Sequence, residues 1–233
     1  MGRRRVSARR AIVGTAFVLA VWAFVAYLAA PFVWSEIEKG APPRAMLTTT
    51  PLGIPGDPLN VGLVGSEAEV VAAFHAIGWR PADAITLRSA IEIGLSVVLD
   101  RPYPDAPVST LVYEGRRQDL AFEREDGASA GRRHHARLWK VAADDAHERP
   151  LWLGTVSYDR DAGLSHDTLQ ITHHIAPDLD AERDALMRAF ESAGLLVNSS
   201  SIDGIGPTQD GRNGGGDRYF TDGKATVGVL RGR

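Results

Sequence analysis

Histidine is the residue type that stands out in this sequence, because six of its seven copies lie between residues 134 and 174. Four of them form two adjacent pairs, His134-His135 and His173-His174, and His166 lies between the pairs. Neutral imidazole is a common zinc ligand, and it gains or loses a proton near neutral pH. This segment therefore contains the candidate functional residues.

Strand geometry limits how these histidines can combine. Adjacent residues of a β-strand point to opposite faces, so only one member of each pair can join a common site. One histidine from each pair, with His166 and a carboxylate, would suit a divalent metal such as Zn²⁺. Alternatively, arginines beside neutral imidazoles could hold a phosphate or carboxylate. The candidate polar site consists of Arg132, His134, His135, Arg137, His166, His173, His174 and Asp178.

A purely structural explanation of the same residues stands beside the functional one. Buried histidines often only bond backbone carbonyls, and the acids at positions 178, 180 and 182 are where a helix favours a cap and negative charge. The sequence has no P-loop, no dinucleotide-binding glycine pattern, no Gly-x-Ser-x-Gly elbow and no His-Glu-x-x-His helix. Whether the protein is an enzyme, and which residue would be catalytic, stays open on the sequence.

The charge distribution excludes one class of partner. Of 26 basic and 29 acidic side chains, five arginines and no acid lie in residues 1–34, so the remaining chain has an excess of eight acids. An acidic domain is poorly suited to nucleic acid, which requires a cationic surface. The chain contains no cysteine, which excludes disulfides, thiolate metal sites and a cysteine nucleophile.

The N-terminus predicts a membrane anchor. Residues 11–34 are uncharged and, as a helix, about 36 Å long, enough to cross a hydrocarbon core of about 30 Å. A cleavable signal peptide, the alternative, has a shorter apolar region and a small-x-small site, whereas Ala29-Ala30 is followed by Pro31. Pro31 is expected to end the regular helix, and Trp34 to lie at the membrane boundary.

Arginine asymmetry predicts the orientation of this helix. Five arginines precede it, while the first basic residues after it, Lys39 and Arg44, are accompanied by Glu36 and Glu38. The positive-inside rule then places the N-terminal tail, residues 1–10, in the cytoplasm and the domain outside. In a bacterium this is the periplasmic face of the inner membrane.

Periodicity predicts an α+β domain at residues 56–233, after a proline-rich linker at 35–55. The predicted fold is a mainly antiparallel sheet with about three helices, because strand and helix patterns occur in segregated runs. A flexible loop is predicted at 199–217, followed by a hairpin around Asp222-Gly223. The helices are predicted after Ser66, from near Thr86 and at 178–193, and the strands at 60–64, 111–113, 119–124, 134–141, 151–159, 170–175 and 225–230.

A series of short motifs resembles the LssY C-terminal domain family over residues 45–195. The motifs lie in order at 56–65, 78–82, 100–103, 115–122, in the Arg-His-His segment and at 172–175. In that family the domain occurs alone behind one membrane helix, or appended to phosphatase-like and DedA-like membrane regions. The family name derives from a locus associated with type I secretion.

The resemblance implies a location and membrane neighbours, and it implies no particular reaction. It carries His134, His135, Arg137, His173 and His174 over as motif residues. This chain lacks the phosphatase-like region, so a phosphatase activity is not carried over. The glycine-rich C-terminal extension lies outside the matched motifs.

Two functional hypotheses follow from the anchor, the resemblance and the polar cluster. In the first, the protein is a non-enzymatic envelope domain that binds a partner protein or a lipid-derived ligand, in connection with secretion or envelope lipid processes. In the second, it hydrolyses a phosphorylated or lipid-linked envelope substrate with the His/Arg/Asp cluster, with or without a divalent metal such as zinc.

Overall fold

The computed structural model describes residues 8–40, 46–82, 108–127, 131–144, 149–203 and 209–232. Its N-terminal helix consists of α1 (Ala8–Phe24), a π-helical turn (Val25–Ala29) and α2 (Ala30–Glu38). The expectation that Pro31 ends this helix is wrong, since the helix continues to Glu38. A proline inside a helix lacks a donor and crowds the carbonyl four residues earlier, and the wider π-helical turn lies at that point.

This helix is long and apolar enough to cross a membrane. The qualifying segment, Arg9–Glu38, has 30 residues and is almost entirely exposed along its most apolar stretch. At 1.5 Å per residue it is about 45 Å long, which exceeds a hydrocarbon core of about 30 Å. Within the described ranges it is the one helix that meets this criterion.

The domain that follows contains fourteen strands among the described residues, and their bounds match most of the predicted strands. A long hairpin, β8–β9, forms its centre, and one helix lies between β3 and β4 and another between β10 and β11. The strands are β1 (Leu47–Thr49), β2 (Pro55–Pro58), β3 (Val61–Val64), β4 (Arg80–Pro81), β5 (Val112–Tyr113), β6 (Arg116–Arg117), β7 (Leu120–Glu125), β8 (Arg133–Asp144), β9 (Arg149–Leu164), β10 (Ile171–Ile175), β11 (Leu196–Asp203), β12 (Asp210–Arg212), β13 (Arg218–Phe220) and β14 (Lys224–Leu230).

These strands form one large sheet, one small sheet and a short two-stranded ribbon. The large sheet has the order β11-β14-β3-β9-β8-β7-β4, with β10 paired to β9. The small sheet has the order β2-β1-β5-β6, and β12 pairs with β13. All these pairings are antiparallel except β14 with β3. The predicted α+β class with a mainly antiparallel sheet is confirmed.

Two helices of the domain are described, α3 (Glu67–Ala76) and α4 (Leu179–Ser192). Helix α3 begins after Ser66, as predicted, with a capping box in which Ser66 and Glu69 bond each other's backbone N–H. Helix α4 is capped by Asp178, whose carboxylate accepts the N–H of Ala181 at 3.0 Å. The helix predicted from near Thr86 lies outside the described residues.

The large sheet is covered on both faces. On one face, side chains of α3 and α4 such as Phe74 and Phe190 pack with Leu138 and Trp152 of the central hairpin. On the other face, the small sheet and its flanking residues pack over Trp139 and neighbouring apolar side chains. Since successive residues of β8 and β9 point to alternate faces, each strand contributes to both layers.

Three expectations for the irregular segments differ from the structure. The linker expected at 35–55 contains the end of α2 and strand β1, which pairs with both β2 and β5. In the loop expected at 199–217, β11 extends to Asp203 and β12 covers Asp210–Arg212. The hairpin expected around Asp222-Gly223 is not formed, because β14 pairs with β11 and β3 while β13 pairs with β12. Strand pairing replaced the expected linker, loop and turn, partly between distant strands, as in β1–β5 and β14–β3, and partly between local ones, as in β1–β2 and β12–β13.

The close packing at Gly154 in the central hairpin allows a steric test of the fold. A Cβ added at Gly154 would lie 2.5 Å from the carbonyl oxygen of Arg137, and this backbone atom cannot move aside cheaply. We expect Gly154→Ala to lower the free energy of unfolding by about 3 kcal/mol, at the upper end of overpacking effects. Denaturation of the full chain in detergent measures the change. Gly232→Ala is the control, because its nearest atom would be 3.5 Å away; equal stability of the two variants would contradict the packing described.

Candidate functional site

A stripe of polar residues lies under the small sheet, on one face of the central hairpin. Arg133, His135 and Arg137 of β8 alternate with residues that face the helices, and they are paired with Asp159, Ser157 and Thr155 of β9. All six are buried. Strand alternation therefore places a continuous polar layer inside the domain, between the large and small sheets.

The charged members of this layer are paired. Arg133 lies 3.3 Å from the carboxylates of both Glu123 and Asp159. Arg137 lies 3.3 Å from Asp57 and also donates to the backbone carbonyl and hydroxyl of Ser109. Both guanidinium groups thus have carboxylate partners, as buried charges require.

Burial determines the protonation of the layer. It raises the pKa of Asp159 to about 7, although the neighbouring Arg133 lowers it. Burial also raises the pKa of Asp57, against the opposing effect of Arg137. Burial lowers the pKa of the His135 imidazole well below its usual value, and the positive charge of Arg137 lowers it further. His135 is therefore neutral at physiological pH.

A cavity of about 510 Å³ opens onto this layer. Its buried lining is mainly polar and includes Arg133, Arg137, Asp57 and Asp159, together with His173 of β10, while Ile54, Leu111 and Ile175 are its buried apolar members. Nδ1 of His173 lies 3.9 Å from a carboxylate oxygen of Asp159. The cavity also reaches apolar residues that are exposed, Leu52 and Ile171, and Pro31 of the N-terminal helix. It therefore has a polar floor and an apolar mouth.

Two buried polar atoms at the cavity have no hydrogen-bond partner among the described residues. They are Nδ1 of His135 and Oγ1 of Thr168. Nδ1 of His135 lies 3.3 Å from Asp159, but the pair does not meet hydrogen-bond geometry. Buried polar atoms are usually satisfied, so this part of the cavity has hydrogen-bonding capacity for a ligand or for water.

A second group of residues lies where the β9–β10 loop and strand β10 meet the segment between β12 and β13. Nδ1 of His174 is 2.7 Å from Oδ1 of Asp217, and Nε2 of His166 is 3.5 Å from the same oxygen. One ligand atom from each of the three residues lies within 4.8 Å of the others. Two imidazoles and a carboxylate are suitable ligands for a divalent transition metal.

A pocket of about 790 Å³ adjoins this second group. His166 and Asp217 line it, and so do the exposed arginines Arg160, Arg212 and Arg218. Trp34 of the N-terminal helix lies at its edge, where its indole N–H donates to the carbonyl of Asp167 at 3.0 Å. The carboxylate of Asp167 also lines the pocket, so three arginines exceed two acids, and the rim is positively charged on balance. The pocket borders the N-terminal helix.

The structure separates the residues of the predicted candidate site. As strand geometry predicts, the two members of each histidine pair contact different groups. His135 and His173 lie in the polar layer near Asp159, whereas His166 and His174 lie at Asp217. A single site with one histidine of each pair and His166 is therefore not formed among the described residues.

Three other predicted residues lie outside both groups. His134 faces the helices, where its Nδ1 is 2.7 Å from Glu182 of α4 and its ring packs against Tyr158. Asp178 caps α4, which agrees with the structural explanation of the acids. Arg132 is exposed and borders neither cavity.

The carboxylates that complete both groups were not predicted from the sequence. Asp159 could have been inferred, because Thr155, Ser157 and Asp159 form a polar alternation inside an otherwise apolar strand. Asp57 lies in the Gly-Asp-Pro motif of the resemblance, but no local pattern connects it to Arg137. Asp217 follows three glycines in the stretch expected to be a flexible loop.

Fold and site together define an α+β domain behind one helix able to cross a membrane, with two polar sites near that helix. Residues 40–225 match the protein family described as LssY C-terminus, so the chain belongs to that family. The match extends beyond the expected residue 195 and includes the glycine-rich stretch with Asp217. No curated protein and no solved structure matches the sequence significantly.

The raised pKa of Asp159 predicts a pH dependence of stability. Below about pH 4 both the folded and the unfolded chain hold this proton, and between about pH 4 and 7 only the folded chain does. The free energy of unfolding therefore falls as pH rises through this window, by on the order of 4 kcal/mol for this group. In Asp159→Asn this contribution is absent.

Urea denaturation of the full chain in detergent, between pH 4 and pH 8, measures this contribution as a difference between the two proteins. We expect the stability of the wild type relative to Asp159→Asn to decrease as pH rises. The other titrating groups occur in both proteins and cancel to first order. Parallel stability curves over this range would contradict the raised pKa.

Proposed function

We propose that this protein is a membrane-anchored domain of the bacterial cell envelope that binds the polar headgroup of a lipid or lipid-linked molecule. The observation that carries the proposal is the cavity with a polar floor and an apolar mouth beside the N-terminal helix. A lipid-derived ligand has the same division between headgroup and chain. The hydrogen-bonding capacity left at His135 and Thr168 supports a polar occupant.

Contacts with the N-terminal helix support access from the membrane. Pro31 lines the cavity, and the backbone N–H of Ile171 donates to the hydroxyl of Tyr27 at 3.3 Å. Tyrosine and tryptophan favour the boundary between hydrocarbon and water. With Tyr27 and Trp34 at that boundary, the mouth at Ile171 lies close to the lipid headgroups.

The charges of the floor limit the headgroup. Three carboxylates, on Asp57, Glu123 and Asp159, accompany the two guanidinium groups, and a pKa of about 7 leaves Asp159 partly protonated. The floor is therefore close to neutral and offers both donors and acceptors. We infer a zwitterionic or sugar headgroup for this cavity, since an anionic group would meet the carboxylates of Asp57 and Asp159, and both arginines of the lining already pair with carboxylates.

The mouth gives a direct test of lipid binding. Ile171 is 40% exposed at the mouth, and an aspartate there would place a charge where the acyl chain enters. We expect Ile171→Asp to reduce the lipid that remains with the full chain after purification in mild detergent by about tenfold, corresponding to about 1.4 kcal/mol. Lipid mass spectrometry measures the molar ratio and identifies the headgroup.

A matched variant controls for the new charge. Ile202 is 38% exposed on β11, away from the residues that line the cavity. Ile202→Asp should retain lipid like the wild type. If both variants retain as much lipid as the wild type, or if the wild type retains none, the proposed function is wrong.

The proposal places the domain on the periplasmic side of the inner membrane, with residues 1–10 in the cytoplasm. Five arginines within residues 1–10, at the N-terminal end of the helix, support this orientation. We expect a phosphatase that is active only outside the cytoplasm to be active when fused after residue 45. A cytoplasmic fluorescent reporter at the same position is the complementary control, and an active cytoplasmic reporter with an inactive phosphatase would reverse the topology.

Hydrolysis of a phosphorylated or lipid-linked envelope substrate is the second candidate function. The group formed by His166, His174 and Asp217 favours it, because two imidazoles and a carboxylate could hold a catalytic metal beside three arginines. Metal binding at these three residues is a precondition of this candidate.

A further inference from the structure

One distance among three side chains near the β9–β10 loop matches a zinc site, and their three ligand atoms lie within 4.8 Å of one another. Ligand atoms of tetrahedral Zn²⁺ lie about 2.0–2.2 Å from the metal and so about 3.3–3.5 Å from each other. The distance of 3.5 Å between Nε2 of His166 and Oδ1 of Asp217 agrees with this geometry. The distance of 2.7 Å between His174 and Asp217 is that of a hydrogen bond, and it would have to lengthen by about 0.6 Å on metal binding.

The surrounding structure holds Asp217 and His174 in place. The backbone N–H of Ile175 donates to the second carboxylate oxygen of Asp217 at 3.1 Å, which leaves the first oxygen directed at the histidines. The ring of His174 lies over Gly163, where a Cβ would approach Nε2 to 2.7 Å. Such supporting contacts orient the ligands of metal sites and raise their affinity.

The segment that carries Asp217 is also bonded to the segment that carries His166. Both the side chain of Ser165 and the backbone N–H of His166 donate to the carbonyl of Gly215, each at 3.0 Å. Asn213 accepts the backbone N–H of Asp217 with its side-chain oxygen at 3.0 Å. The three candidate ligands therefore come from two segments that are distant in sequence but bonded to each other.

We propose that His166, His174 and Asp217 form a binding site for a divalent transition metal, with Zn²⁺ as the best fit. Two nitrogen ligands and one carboxylate oxygen suit zinc, and three protein ligands leave a fourth position for an external ligand. The side chain of His166 is 59% exposed, so this position faces the pocket. The proposal goes beyond headgroup binding, since none of the three residues lines the cavity with the polar floor.

The rim of the pocket indicates the class of the external ligand. Arg160, Arg212 and Arg218 line the pocket that contains His166 and Asp217, and all three are exposed. A metal ion with three arginines around it would bind a group with negative oxygen atoms, and guanidinium groups bind phosphate particularly well. The fourth position is therefore assigned to a phosphate group.

Metal titration of the full chain tests the site. The protein is purified in detergent with an affinity tag that contains no histidine, treated with a chelator, and titrated with Zn²⁺ by calorimetry. We expect one ion per chain, with His166→Ala and Asp217→Asn each weakening binding by at least about 10–100-fold. His75→Ala is the control, because this exposed histidine lies on α3, and it should bind like the wild type.

The exposed position of His166 keeps the test decisive even if Asp217→Asn unfolds the protein. Zn²⁺ binding by His166→Ala that equals the wild type, or the absence of stoichiometric binding by the wild type, would overturn the metal site. Retained lipid, measured on the same samples, separates this result from the proposed function. His166→Ala should retain lipid like the wild type, whereas Ile171→Asp should bind the metal like the wild type.

The phosphate assignment has its own readout. Co²⁺ replaces Zn²⁺ in such sites and absorbs visible light according to its coordination, so the binding of a new ligand changes the spectrum. We expect inorganic phosphate to change the spectrum of the Co²⁺-loaded chain, and the double variant Arg160→Ala, Arg218→Ala to require at least tenfold more phosphate. A spectrum that does not respond to phosphate, or an equal response of the double variant, would overturn the assignment of a phosphate ligand at this pocket.

Discussion

The rest of the domain depends on one constraint, which is that two buried guanidinium groups must pair with carboxylates. Arg133 and Arg137 project from the same face of β8 into the space beneath the small sheet, where water cannot solvate them fully. Their partners come from three other strands, with Asp57 on β2, Glu123 on β7 and Asp159 on β9. Loss of one partner of such a pair costs about 3–5 kcal/mol. The small sheet is therefore fixed to the large sheet by charge as well as by apolar packing.

The same pairing determines what the interior can bind. Since the arginines are already engaged by carboxylates, they do not act as an open anion site, although an arginine beside neutral histidines suggests one on the sequence. The open cationic surface lies instead at Arg160, Arg212 and Arg218, next to the N-terminal helix. Two neighbouring sites with different electrostatic character result, one nearly neutral and more enclosed, the other cationic and exposed.

Local patterns predicted the helices and strands better than they predicted which strands pair with each other. The alternation in β8 and β9, the capping box at Ser66 and the apolar stripe of α4 are all encoded within a few residues, and the structure contains them. The parallel pairing of β14 with β3 depends on residues more than 160 positions apart, and no turn motif specifies it. The prediction of a hairpin at Asp222-Gly223 was wrong because β14 pairs with distant strands, although the turn residues are typical of hairpins.

The candidate site shows the same limit more sharply. Strand alternation correctly separated His134 from His135 and His173 from His174, because that rule is purely local. It could not identify Asp217, which lies 43 positions after His174 in a glycine-rich segment. The sequence also does not show that Pro31 lies within the N-terminal helix, since the π-helical turn that accommodates the proline has no sequence signature of its own.

The contacts between the β9–β10 loop and the N-terminal helix also affect how the protein would respond to its surroundings. Hydrogen bonds from Trp34 to Asp167 and from Ile171 to Tyr27 join the loop to one side of the helix. Rotation of the domain about the helix axis would break both bonds. A helix that is longer than the hydrocarbon core tilts to match its thickness, and a domain bonded to the helix tilts with it. Bilayer thickness would thus set the angle at which both pockets face the membrane surface.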